Sequence, residues 1–231
     1  IKLTGIQLFS NNNSPKAENG SQQVNLGNVS GNGNQFNISL QQTASDFNAE
    51  IDVAAAYLKE SKPDVAIEKL KELKRRHWHA LTDREKYRIA ANIGHAFNQK
   101  DECSTAADHY VEAIQYLAPG EERLSLEATA YFLQGKNEDA IRISKSCLND
   151  FPSNLMARAV FIRASADSVS TDELEGEIPV HLRSSFEVLD ALFLHAAKRM
   201  EFPKAEAYAR RLIELDGSSR HSKMRLGAIL A

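Results

Sequence analysis

The stretch IAANIGHAFNQKDECSTAADHYVEAIQYLAP, residues 89–119, decides the fold. It reads as two short amphipathic helices joined by a tight polar turn. Ile89, Ile93, Gly94 and Phe97 share one face of the first helix. Ala106, Tyr110, Ala113, Ile114 and Leu117 share one face of the second, by the three-and-four spacing of an α-helix. Small residues (Gly94, Ala106, Ala113) alternate with large ones (Phe97, Tyr110), which lets one helix sit close against its neighbour.

Most of the chain repeats this unit. Ala66, Ala106, Ala140 and Ala205 each open a second helix. Twelve residues before them stand Ala54, Gly94, Ala128 and Phe193; nine before stand Tyr57, Phe97, Tyr131 and Ala196. Seven after stand Leu73, Ala113, Cys147 and Leu212. The step from Ala106 to Ala140 is 34 residues, the step from Ala66 to Ala106 is 40, and that from Ala140 to Ala205 is 65. The first excess places an insertion around Arg75–Thr82. The second leaves room for a first helix at residues 154–166 and a degraded second helix near Asp172–Arg183. Further helices are expected at Asp64–Arg76 behind Pro63, at Asp83–Gln99, Asp101–Leu117, Leu182–Arg199 and Pro203–Leu215, and at Ser219–Leu230.

This pattern, over about residues 47–231, resembles the tetratricopeptide repeat (TPR) family of 34-residue helix–turn–helix units. The resemblance implies an all-α, right-handed superhelical solenoid of about four to five helix pairs. It also implies a protein–protein interaction scaffold with a concave groove lined by first helices, binding a partner peptide or helix. The groove positions that match are Arg88, His95, Asn98 and Gln99 in one unit and Ser125, Thr129 and Phe132 in the next. The concentrated Lys and Asn set with which the family clamps a carboxylate is not found.

Residues 1–42 differ in kind from residues 43–231. Residues 1–40 hold three charged side chains (Lys2, Lys16, Glu18), nine asparagines and five of the eleven glycines. Val24 and Leu26 alternate before the cluster Gly31-Asn32-Gly33-Asn34, and Phe36, Ile38 and Leu40 alternate after it. Such a cluster tolerates the positive φ of a hairpin turn, so a β-hairpin at 23–41 is expected, with a flexible Asn/Gly linker as the alternative. A lone hairpin is marginal in water. It must pair with residues 1–9, pack on the helices, or make a homo-oligomer through residues 1–42. Segments of the GNGNQFNI type resemble those preceding helical repeats in bacterial multidomain proteins. A sensor or oligomerisation fragment of such a protein is therefore expected, and Ile1 and the truncated last unit agree.

The 231 residues carry a net charge of −3 and 42% apolar residues, ordinary for a soluble globular chain. No global field favours nucleic acid or anionic membrane. Two distant cysteines, Cys103 and Cys147, make no disulfide framework, and no apolar run spans a membrane, so the cytoplasm is the expected location. Phosphate-loop, nucleophile-elbow, HExxH and CxxC signatures are missing, so neither an enzyme nor a cofactor is implied. His77 and His79 flank Trp78 but point apart on a helix, which argues against a metal site. The Lys69–His79 run is the alternative: a nucleic-acid-binding face of charge plus an aromatic, opposed by the interleaved Glu68 and Glu72. A non-catalytic subunit of an enzyme is the remaining class. Cys103 and Cys147 read as small core residues, and Asp172, Glu173, Glu175 and Glu177 as a solvated acidic loop.

Overall fold

The computed structural model describes residues 44–215 and Gly227, which is helical. The expected hairpin at 23–41, the remainder of the 1–42 segment and the expected last helix at 219–230 lie outside the described residues, Gly227 excepted. The described residues form ten α-helices and three short 3-10 turns and contain no strand.

Helices α1 (Ala44–Lys59) and α2 (Pro63–His77) form the first antiparallel pair, α3 (Asp83–Gln99) and α4 (Cys103–Ile114) the second, and α5 (Glu121–Leu133) and α6 (Asn137–Asp150) the third. Then α7 (Leu155–Ala164) is followed by the seven-residue α8 (Thr171–Glu177), and α9 (Phe186–Lys198) pairs with α10 (Phe202–Leu215). Local chemistry sets these starts. Pro63 opens α2, where its missing N–H costs nothing. Thr82 and Glu85 form a reciprocal capping box at α3, and Asn154 caps α7 through Ala157 N at 2.7 Å.

Two ends differ from the sequence reading. Helix α4 stops at Ile114 rather than Leu117, because Gln115, Tyr116 and Leu117 tighten into bonds three residues back, onto Glu112, Ala113 and Ile114. Helix α9 begins at Phe186 rather than Leu182, because Val180–Leu182 form a separate 3-10 turn and Ser185 is extended.

One turn recurs in four pairs. Ser61, Asp101, Gly135 and Met200 each stand midway between a first and a second helix, at φ 57, 62, 74 and 61. In each, the following N–H bonds to a carbonyl five residues back: Lys62 to Tyr57, Glu102 to Phe97, Lys136 to Tyr131 and Glu201 to Ala196, at 2.9–3.0 Å. This is the wrapped helix terminus that favours glycine, yet only one of the four is glycine. A side chain at left-handed φ costs about 1 kcal/mol. Met200→Gly is therefore expected to raise stability by about 1 kcal/mol, since Met200 is 73% exposed and loses little packing. Gly135→Ala should lower it by a similar amount. Thermal unfolding followed by circular dichroism reads both.

Packing repeats with the turns. The first helices α1, α3, α5 and α9 pack on their own partners, α3, α5 and α7 on the second helix before them, and first helices meet one another at α1–α3, α5–α7 and α7–α9. At the remaining step Arg84 of α3 reaches Glu122 of α5. The core forms three clusters along this array. The largest joins α1 through α5, and a second joins α7 through α10. Between them lies a small one of Ala128, Ala140, Ile143, Val160 and Ala164. The close α3–α4 crossing depends on Gly94: a Cβ there would meet the Tyr110 ring at 2.9 Å and the Ala106 carbonyl oxygen at 3.1 Å. Tyr110 is fully buried and has nowhere to move. Alanine gains about 1 kcal/mol in helix propensity, but the clash costs about 1–3. Gly94→Ala should net a loss of up to about 2 kcal/mol, read from the urea midpoint. Phe193 stands where the other units have a small residue, and Ala196 where they have an aromatic. Both are buried, so α9 keeps the pairing with the large and small residues exchanged.

Candidate partner-binding face

The seven groove positions lie on α3 and α5, and the structure places most of them inside the array. Arg88 has no exposed surface. Its guanidinium donates to Asn48 Oδ1 at 2.5 Å and pairs with Asp52, both on α1. Asn48 Nδ2 in turn donates to Glu85 Oε1 at 3.0 Å, and Glu85 closes the Thr82 cap. The start of α3 is thus tied to α1 by a buried polar chain that ends at the half-exposed Asp52.

His95 and Asn98 are also buried, and Gln99 is half-buried. The Gln99 amide donates to Leu58 O of α1 and to His95 Nε2, each at 3.1 Å. An amide donor at Nε2 puts the imidazole proton on Nδ1. Burial holds His95 down at about 4, so the ring is neutral at pH 7. The unfolded chain binds this proton below about 6.5 and the folded chain only below about 4, so stability is full above 6.5 and is lost as pH falls through that window. Comparison with His95→Gln isolates the effect. The parent should lose about 2 kcal/mol more than the variant between pH 8 and pH 5, measured by urea unfolding across that range.

On α5, Ser125 and Thr129 are buried and turn their hydroxyls back on their own helix, to Glu122 O at 3.1 Å and Ser125 O at 2.8 Å. Phe132 is half-buried between two core clusters. Five of the seven positions (Arg88, His95, Asn98, Ser125 and Thr129) therefore point into seams between helix pairs, out of a partner's reach in this conformation. The physical reason is the directness of the α1–α3 and α5–α7 contacts, which fill the space a groove would occupy. Gln99 and Phe132 keep surface.

The basic run on α2 is engaged within the chain. Lys69 lies over the Tyr57 ring at 5.7 Å, Lys71 over Phe97 at 5.1 Å and Lys74 over Trp78 at 4.7 Å. Lys74 also pairs with Glu112, and Arg75 and Arg76 with Glu72. Trp78 packs edge-on against Tyr116 at 5.7 Å, filling the insertion after α2. No group of three metal-ligating side chains occurs among the described residues. Burial raises the Cys147 thiol to about 11, which leaves it protonated and inert. Among the described residues no helix is long and apolar enough to cross a membrane.

Sequence reasoning missed two interior features. Arg163 of α7 and Asp190 of α9 form an ion pair at 2.5 Å with both side chains buried. Thr171 Oγ1 of α8 lies 3.0 Å from His195 Nδ1 of α9, both buried. The signal for the first was available: charged residues inside two apolar runs, Arg158 and Arg163 in LMARAVFIRA and Glu187 and Asp190 in FEVLDALFL.

These residues define a helical-repeat array of antiparallel pairs. No family model matches the chain, and no curated protein matches it significantly. Among solved structures it is similar to a Podosopora anserina protein described as a putative kinesin light chain with nearly identical TPR-like repeats. The identity is 17%, covering 82% of this chain and 97% of that one, with a TM-score of 0.46.

Proposed function

We propose that this chain is a protein-interaction scaffold that binds a partner peptide or helix along the edge of its first helices. The observation that supports this reading is the recurrence of one turn and one packing scheme through four pairs, which builds an array whose neighbours meet pair by pair. Such arrays present continuous helical faces, and their common use is recognition. Gln99 at the end of α3 and Phe132 at the end of α5 are the two groove positions with exposed surface. The half-exposed Phe132 suits the apolar anchor of a bound peptide, while the Gln99 amide is spent on Leu58 and His95 within the array.

The test is affinity capture with three variants matched for helix content. Proteins held by the parent should be lost with Phe132→Asp and weakened with Phe132→Ala. They should be kept with Val111→Asp, on the exposed face of α4. Capture that ignores Phe132 and fails with Val111→Asp would move the site to the second helices and overturn this reading.

A further inference from the structure

Three arginines among the described residues are more than nine-tenths buried: Arg88, Arg158 and Arg163. Arg88 pairs with Asp52 and Arg163 with Asp190. Arg158, 8% exposed, pairs with no carboxylate among the described residues. Its Nη2 donates to Pro152 O at 3.2 Å, and that is its one hydrogen bond among them. Its Nε is enclosed without an acceptor, and its Nη1, also without one, keeps contact with solvent. Burial pulls the guanidinium below its usual range, and Glu177 offsets this only in part. Glu177 is exposed and lies beyond ion-pair reach. A cation shut in this way gives up hydration without gaining a counter-charge.

Its position adds to the imbalance. Arg158 is the fourth residue of α7. Side chains on a helix lean toward its N-terminus, and the bond to Pro152, six residues earlier, sets the guanidinium beside the start of α7. At that start the Asn154 side chain takes the Ala157 N–H. Among the described residues nothing accepts from the N–H groups of Leu155 and Met156. A helix N-terminus carries about half a positive charge, so the guanidinium adds positive charge where the backbone already supplies it. The carboxylate nearest the cap, Glu121, is exposed and is engaged by Asn154 Nδ2 at 2.9 Å.

We propose that Arg158 and the start of α7 form a binding site for one oxyanion, a phosphate or a carboxylate. The edge of a guanidinium offers two parallel donors that match two oxygens of either group. The free N–H groups of a first helical turn suit the same charge. The anion would supply to Arg158 what Asp52 supplies to Arg88 and Asp190 to Arg163. The site stands at the start of a first helix, whereas Gln99 and Phe132 stand at the ends of theirs. It is therefore independent of the partner-binding reading above, and each can fail without the other.

The test uses the full chain in a buffer without phosphate. Melting temperature is followed as inorganic phosphate or acetate is added, against sodium chloride of equal ionic strength. Phosphate at about ten times its dissociation constant should raise the melting temperature by about 3–6 °C. Arg158→Met keeps the length of the side chain and should melt no lower than the parent in chloride, because it removes a lone buried cation. In that variant phosphate should add only the general stabilisation of an excluded salt. An equal phosphate shift in parent and variant overturns the site. So does the absence of a shift in the parent at about 50 mM, where even a site of about 1 mM affinity is filled. Acetate matching phosphate would name a carboxylate as the occupant, and phosphate acting alone a phosphoryl group; either result supports the site. Glu177→Gln changes only exposed surface, so it keeps the fold whatever happens at Arg158. It should tighten phosphate about twofold in isothermal titration calorimetry by removing a like charge. Unchanged or weaker binding would place the anion away from Arg158.

Discussion

Asp190→Ala is expected to cost about 3–5 kcal/mol. Asp190 and its partner Arg163 have side chains only 0% and 4% exposed, so neither charge can turn to water when the other is removed. Burial pulls the Arg163 guanidinium down to about 10, which still leaves it charged at neutral pH. The variant therefore keeps a cation in the α7–α9 seam without the carboxylate that faces it. Against a total stability of roughly 5–15 kcal/mol, that loss places the chain near its unfolding threshold at 37 °C. Replacing both residues, Arg163→Met with Asp190→Leu, should recover most of the loss, because apolar side chains of similar length fill the seam without a charge to desolvate. Urea unfolding of the three variants measures this. A loss under about 1 kcal/mol for Asp190→Ala would mean that the pair behaves as a surface pair.

Arg88→Ala should cost about 3 kcal/mol, and it separates two views of the same residue. Its side chain is fully buried between α1 and α3, so truncation leaves a cavity and removes the bonds to Asn48 and Asp52. Asp52 is half-exposed and rehydrates, which keeps the cost below that expected for Asp190. Arg88→Met, which retains the volume, should cost about 1 kcal/mol. In a chain of this size each kcal/mol moves the melting temperature by about 2–4 °C, so Arg88→Ala should lower it by about 6–12 °C. A residue lining an open groove would behave in the opposite way, weakening partner binding with little change in melting temperature.

How far the sequence carried is clearest at particular residues. The start of α2 was legible because Pro63 is a local signal that acts within one turn, and the Thr82–Glu85 box and the Asn154 cap, which the structure adds, are of the same local kind. The pairing of α3 with α4 was legible because Gly94 and Tyr110 state it in size alone. Burial of Arg88, Asn98 and Thr129 was not legible. A repeat register tells which side of a helix a residue occupies, but how deeply a neighbour covers that side depends on the spacing between pairs. The start of α9 was misread because apolar residues at Val180 and Leu182 fit a helical period, while Ser185 interrupts the backbone with an extended conformation that periodicity does not register.

The narrow middle of the core bears on cooperativity. Three alanines with Ile143 and Val160 bridge two larger apolar clusters, and alanine surrenders little surface to water when a contact opens. In a linear array, units are coupled only through the contact with the next unit, so the free energy of splitting is set by the poorest interface. Denaturation can then proceed by halves. The segment from α1 to α5 and the segment from α7 to α10 each keep a core after the bridge has parted, and amide exchange would divide the chain into two blocks with a boundary at α6.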